Sequence, residues 1–301
     1  MFRPKATQWA HLALFGVALF YSLNYFIAKL AVGVISPFGL TALRALTGLS
    51  FFYVWNRLAG WEKIRDRKDF GLLALCALLG AVLNQWCFFG GMSFTTEVNA
   101  AVLMTTTPIF VFLTAWALRQ ESMNYLRALG ILVAFAGAAL LSLNGRSLEF
   151  GAQTFLGDAL IILNAASYGV YLVIVRPLMQ KYQARTVLMW LFVFGSMVNI
   201  PAGSPSLFQV DPAHLSPEIL GAIAYILIFA TMGTYALNAF ALVRVPSSLV
   251  GAYIYLQPAL VSFMEVFFLK RSLSGEKLAY MLLICVGVAL VSINKKEKLN
   301  K

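Results

Sequence analysis

The sequence predicts an all-α integral membrane protein: ten transmembrane helices, arranged as two copies of five in inverted topology. Three observations predict it. The 301-residue chain is 60% hydrophobic and only 12% charged, whereas soluble domains carry roughly a quarter charged residues. Ten apolar segments are long enough to cross a bilayer core, which takes about 20 residues. And landmarks recur 150 positions apart: Pro108 with Pro258, Ser122 with Ser272, and Gly137-x-Ala139-Leu140-x-Ser142-x-Asn144 with Gly287-x-Ala289-Leu290-x-Ser292-x-Asn294. The boundary between copies is expected near residue 146, giving 1–146 and 147–301.

The first span is expected near 11–31. The opening Met-Phe-Arg-Pro-Lys resembles the start of a signal peptide. The apolar run after it is too long, however, and ends in no small-x-small cleavage site, so it reads as a retained helix. His11 and His214 are placed outside the spans. The second span, near 37–57, carries Arg44, and the third, near 70–91, carries Gln85 and Phe88. The fourth, near 97–119, and the ninth, near 247–269, carry the two prolines. Proline lacks an N–H and displaces the carbonyl four residues back, which frees Met104 in one span and Ile254 in the other. In lipid a freed carbonyl must find a partner or face a wet cavity. Interruptions at matching positions of two halves point to a transport site; the structural alternative is a packing kink satisfied by Thr105–Thr107 or by Gln257. The fifth and tenth spans, near 125–143 and 277–294, end in the repeated glycine motif. Small residues at Ala134, Ala138 and Gly287 suit close helix packing, read as internal packing, with a monomer favoured over a dimer. The sixth, near 157–176, matches the first at a slightly shorter offset, Tyr168 on Tyr21 and Arg176 on Lys29. The seventh, near 186–201, is the shortest, and the eighth, near 218–240, carries Tyr235 and Asn238.

Five helices per copy is an odd number, so the second copy must lie upside down. With the N-terminus in the cytoplasm, seventeen Lys and Arg fall on the inner side, Arg127, Arg176 and Arg244 among them, and four fall outside: Arg146, Lys270, Arg271 and Lys277. Loop 57–69 holds five basic residues and its counterpart around 201–217 none. That is the bias an inverted repeat requires. The basic loop 270–277 breaks the rule, and it lies close to Glu265. Cytoplasmic loops also account for the net charge of +11 without nucleic acid. Cys76, Cys87 and Cys285 all fall in apolar runs, where they are expected as buried thiols that form no disulfide framework.

Charges within spans are functional candidates by default. Lys29, Arg44, Glu97 and Glu265 all fall in the outer third, two of each sign, and are expected to form an ion-pair network that helps close an outer gate. Glu265 is also a candidate for a coupling proton. The expected binding residues are polar and aromatic: Tyr21 and Asn24 on the first span, Tyr168 and Tyr171 on the sixth, Gln85 and Phe88 on the third, Tyr235 and Asn238 on the eighth, Thr106 and Thr107 on the fourth, and Tyr253 and Gln257 on the ninth. Pro108 and Pro258 are the hinges. Such a lining suits neutral or zwitterionic solutes of amino-acid size. No HExxH, GxSxG or GxxxxGK[ST] motif is present, which argues against zinc hydrolysis, a serine nucleophile and ATP-driven transport. No cofactor or metal is expected. A passive channel could share the aromatic lining but has no need of paired hinges.

The register of ten helices, with Asn24–Lys29, Arg44, the stretch from Ala100 through Pro108 to Glu121, and the Gly137 motif with its Gly287 copy, resembles the EamA-type members of the drug/metabolite transporter superfamily. The resemblance covers nearly the whole chain. It implies a secondary transporter of the bacterial cytoplasmic membrane, often an exporter of metabolites or amino acids, with other members of the fold moving sugars, nucleosides or drug-like solutes. It also implies a central cavity lined by helices one, three, four, six, eight and nine. The family pattern has an acid after both proline-bearing helices. Glu121 fits; Arg271 stands where its partner would be.

Overall fold

The computed structural model describes residues 4–32, 34–143, 147–149, 151–211, 213, 215–270 and 274–293. Of the residues singled out above, Asn144, Asn294, Ser272, Arg271, Arg146 and His214 lie outside the described residues, as does the side chain of Lys29. Ten helices are long and apolar enough to cross a membrane: α1 (Thr7–Ala28), α2 (Pro37–Leu58), α3 (Arg67–Met92), α4 (Glu97–Ala117), α5 (Tyr125–Leu143), α6 (Thr154–Lys181), α7 (Ala184–Leu207), α8 (Pro217–Leu242), α9 (Ser247–Phe268) and α10 (Gly275–Ser292). The chain is a ten-helix, all-α membrane protein.

Three expectations need correction. Helix α1 belongs to a helix that begins at Pro4, so His11 lies inside the span and not outside it. Helix α7 is not the shortest; it continues through Pro201 and Pro205 to Leu207. Proline removes one hydrogen bond, but α7 packs along α2, and Gly203 approaches so closely that a Cβ there would sit 2.2 Å from the Phe38 carbonyl oxygen. That contact holds the turn beyond Pro201 in place. Cys285 is exposed, unlike Cys76 and Cys87. Helix α10 turns Ile284, Gly287, Val288 and Val291 inward, which leaves Cys285 on the opposite face.

Four helices are interrupted, in matched pairs. Helix α3 widens into a π turn at Leu78–Leu83, and α8 does the same at Ile228–Gly233. Helix α4 breaks between Met104 and Thr107; α9 tightens into a 3₁₀ turn at Tyr253–Tyr255. Each break falls just before its proline. Each of these two helices also ends on a left-handed residue, Arg119 (φ 55°) and Lys270 (φ 51°). The breaks differ in how they are satisfied. At the first, the hydroxyls of Thr105, Thr106 and Thr107 donate to the carbonyls of Val102, Leu103 and Met104 at 2.5, 2.6 and 2.8 Å. The carbonyl freed by Pro108 is therefore taken by Thr107. At the second, the carbonyl freed by Pro258 is that of Ile254; the Ser22 hydroxyl of α1 donates to the Ala18 carbonyl of its own helix at 2.7 Å and stands 3.3 Å from the Gln257 carbonyl.

Packing follows the same pairing. Helix α2 lies on α7 and α5 on α10, α3 meets α6 as α8 meets α1, and α4 meets α6 as α9 meets α1. The glycine motif serves the α5–α10 contact, where a Cβ on Gly287 would come within 2.5 Å of the Ala134 backbone nitrogen. Ala134 and Ala138 are fully buried there. The helix ends sort into two groups. The near end gathers the start of α1 (Thr7, His11), the ends of α4, α6 and α10 (Gln120, Arg176, Ser292) and the α8–α9 connection (Arg244, Pro246). The far end joins the starts of α4 and α6 through Asn99 and Asp158.

Candidate functional site

The two π turns face each other across the middle of the molecule. A π turn leaves carbonyls out of the ordinary helical ladder, and here neighbouring helices use them. Tyr235 donates to the Gly80 carbonyl at 3.3 Å, and Asn199 donates to the Ala81 carbonyl at 3.0 Å. On the other turn, Thr231 donates to the Ile226 carbonyl at 2.8 Å and accepts from Arg44 Nε at 2.9 Å. Gly80 is required by contact: a Cβ there would lie 2.5 Å from the ring of Tyr171. Tyr171 packs beside Tyr168 at 5.8 Å between ring centroids. Tyr168 in turn lies beside Tyr21, and Tyr235 packs on Phe192 at 5.0 Å. A space of about 10 Å³ remains among Arg44, Gln85, Asn199, Thr231 and Tyr235, about one water's worth. Two buried acceptors, Asn24 Oδ1 and Gln85 Oε1, have no hydrogen-bond partner. Such atoms cost about 1–3 kcal/mol each.

The larger cavity, about 180 Å³, opens at the near end. Glu121, just past α4, accepts the N–H of Ser248 at 3.1 Å and a short bond from the Ser248 hydroxyl. Arg127 of α5 lies 3.4 Å from the same carboxylate. All three residues are buried, so this cluster ties α4, α5 and the start of α9 together. Arg176 of α6 donates to the Leu242 carbonyl at 3.2 Å. Arg244 donates to the Phe240 carbonyl at 2.7 Å and stands 3.5 Å over the Phe240 ring. His11 completes the wall, its Nδ1 2.7 Å from the Tyr253 hydroxyl at the α9 break. The far end is closed by Asp158, which accepts a short bond from the Thr95 hydroxyl and another from Asn99 at 3.1 Å. Asn99 also donates to the Glu149 carbonyl at 2.7 Å.

The sequence profile of the EamA-like transporter family matches residues 8–143 and 155–293. The chain belongs to the EamA-like transporter family. It is similar to an uncharacterized transporter of Archaeoglobus fulgidus, 28% identical over 251 residues, covering 82% of this chain and 85% of that one. It is also similar to the uncharacterized transporters YyaM and YwfM of Bacillus subtilis. YyaM is 26% identical over 236 residues, covering 75% of this chain and 74% of YyaM. YwfM is 24% identical over 286 residues, covering 93% of each. A crystal structure with 18% identity superposes with a TM-score of 0.79 over 96% of this chain and 97% of its own, which shows a shared fold.

Within this EamA-like transporter, the expected site residues divide. Tyr21, Tyr168, Tyr171 and Tyr235 form one central cluster, with Gln85 beside Tyr235; Asn24, one turn along α1 from Tyr21, is half-buried with its Oδ1 inside. Thr106 and Thr107 are spent on their own helix. Tyr253 turns to His11, Phe88 packs on Phe89 at 5.4 Å, and Asn238 and the Gln257 side chain are half-buried. Among the expected gate charges, Glu97 is exposed and Glu265 lies 4.0 Å from Lys277. Arg44 departs from the expected grouping. Helical rise gave its depth but not its azimuth, and it faces Thr231 and the central space. Sequence reasoning treated Arg127, Arg176 and Arg244 as orientation charges and missed their convergence on one cavity. One signal was present: Arg176 falls on Lys29 in the repeat. Ser248 carried no signal.

Proposed function

We propose that the chain is a secondary active transporter working by alternating access, its halves 1–146 and 147–301 acting as inverted repeats. Its substrate is a small neutral or zwitterionic metabolite of amino-acid size, exported across the cytoplasmic membrane of a bacterium, with both termini in the cytoplasm. The observation that carries this reading is the matched pairing of interruptions, π turns at Leu78–Leu83 and Ile228–Gly233 and breaks before Pro108 and Pro258. Unwound or widened backbone at membrane depth is tolerated where it lines a site or a moving contact. The unpartnered Asn24 Oδ1 and Gln85 Oε1 support placing the substrate between the two turns, against the tyrosines. The central space is too small for a solute, so the conformation described is closed around its centre; rocking of the halves about the proline breaks opens it. At the far end the Asp158 cluster is one closure, and Glu97, Glu265 and Lys29 belong to the same gate. Glu265 is the candidate for a coupling proton.

Counterflow in proteoliposomes tests this. Vesicles loaded with unlabelled amino acids are offered the labelled solute, one at a time. The expected outcome is saturable, solute-selective accumulation that Gln257→Ala weakens. Unselective flux that never saturates identifies a passive channel instead. A panel in which no amino acid moves turns the search to sugars and nucleosides.

A further inference from the structure

We infer that the near-end cavity is a carboxylate-binding vestibule, in which Arg176 and Arg244 receive the carboxylate of the transported solute before it reaches the centre. The transported-solute part rests on the transporter reading; the binding site itself does not. Four charged side chains line the cavity, three guanidiniums and one carboxylate. The carboxylate, Glu121, is already committed to Arg127 and Ser248. Among the described residues, neither Arg176 nor Arg244 has a carboxylate within ion-pair distance; each spends a donor on a backbone carbonyl. A guanidinium carries five N–H donors, so most of their donors stay available at the cavity wall. Half-buried guanidiniums on one wall favour a partner of opposite sign, and the planar fork fits a carboxylate or a phosphate.

The rest of the wall narrows the class. Val245, Leu249 and Val291 line the same cavity as the arginines, which suits an organic acid with an apolar body over a small inorganic anion. The position also suits a path inward. His11 lines the same cavity and bonds Tyr253 at the α9 break, so a solute held by the arginines rests beside the helix expected to bend. An amino-acid zwitterion supplies the carboxylate without departing from the solute class proposed above.

The test uses the full-length protein in phosphatidylcholine nanodiscs, with sodium benzoate as probe, benzamide as its neutral isostere, and constant ionic strength. Benzoate is expected to raise the melting temperature saturably and benzamide is not. Arg176→Gln and Arg244→Gln are each expected to weaken benzoate binding by about tenfold or more, as loss of a paired donor fork implies. If a glutamine variant fails to fold, Arg→Lys at that position keeps the charge and loses the fork, and weaker binding is still expected. Equal stabilisation by benzamide overturns the proposal, as do variants that bind benzoate like the wild type. Repeating the titration in phosphatidylglycerol discs separates a solute from a lipid headgroup. Loss of the benzoate response there, with inorganic phosphate matching benzoate in phosphatidylcholine, assigns the cavity to headgroups and overturns the solute reading. Benzoate binding that survives while no solute exchanges in proteoliposomes sinks the transporter reading and leaves the carboxylate site standing.

Discussion

Glu121 and Gln85 both carry buried side-chain oxygens, with opposite consequences for stability. Glu121 is satisfied on every side, by Arg127 and by both donors of Ser248. Glu121→Ala removes the carboxylate that faces the buried Arg127 charge and both donors of Ser248, which costs about 3–5 kcal/mol. Replacing both members of the pair, Glu121→Leu with Arg127→Met, is expected to restore much of that loss, because a well-packed apolar pair carries no desolvation penalty. Denaturant unfolding of the three variants in detergent checks it; a double variant no better than Glu121→Ala refutes the assignment. Gln85 is the reverse case. Its Oε1 is buried without a partner, so Gln85→Leu removes a cost and is expected to leave stability unchanged or raise it by about 1 kcal/mol. The same change is expected to abolish saturable exchange. A variant that exchanges normally shows that the amide is not part of the substrate site.

At the scale of the helix, the two proline breaks look alike in sequence and differ in wiring. Pro108 removes the donor that would serve the Met104 carbonyl, and Thr107 replaces it at 2.8 Å. Pro108→Ala returns an N–H to that position, so α4 can run through as a continuous helix. The expected result is equal or greater thermal stability, with exchange slowed by roughly tenfold, because a hinge that absorbs the backbone change has been removed. Pro258→Ala acts differently, since the α9 break is a 3₁₀ turn tied to α1 through the Tyr253 hydroxyl and His11; its effect on exchange is expected to be matched by Tyr253→Phe. Melting temperature and exchange rate, measured on the same preparations, decide both. The sequence named Thr105–Thr107 as a way to satisfy the first kink, and Thr107 does so; the contact from α1 to the second, through Tyr253 and His11, carried no signal. A proline announces the missing N–H, but which hydroxyl fills the gap depends on rotamers and on the helix alongside. The π turns were illegible for a related reason: Leu78–Leu83 and Ile228–Gly233 have ordinary apolar composition, and only the partners Tyr235 and Asn199 reveal why the extra residue is tolerated.

At the scale of the molecule, length and hydropathy made the ten spans readable, because lipid constrains how much apolar chain must be present and says nothing about azimuth. That is why the tyrosine cluster was found by repeat matching, while the arginine-lined vestibule was not: counting charges on one side of a bilayer treats Arg176 and Arg244 as equivalent to Lys63 and Arg65. The same counting supplies the orientation that the inverted arrangement needs, and accessibility can measure it. Helices α4 and α9 meet end to start, Glu121 against Ser248, so they run in opposite senses. Cysteines placed at the exposed positions Phe94, before α4, and Lys270, after α9, are therefore expected on one face of the membrane. Cysteines at the exposed Met123 and Lys63 are expected on the other, together with the N-terminus. The background for this labelling has Cys76, Cys87 and Cys285 replaced by serine, and an impermeant maleimide is applied to right-side-out and inverted vesicles. Phe94→Cys and Lys270→Cys reacting from outside, and Met123→Cys and Lys63→Cys reacting only in inverted vesicles, is the pattern two inverted halves require. Reaction of Phe94→Cys and Lys270→Cys from opposite faces is incompatible with it, and alternating access through a pseudo-two-fold centre would have to be abandoned.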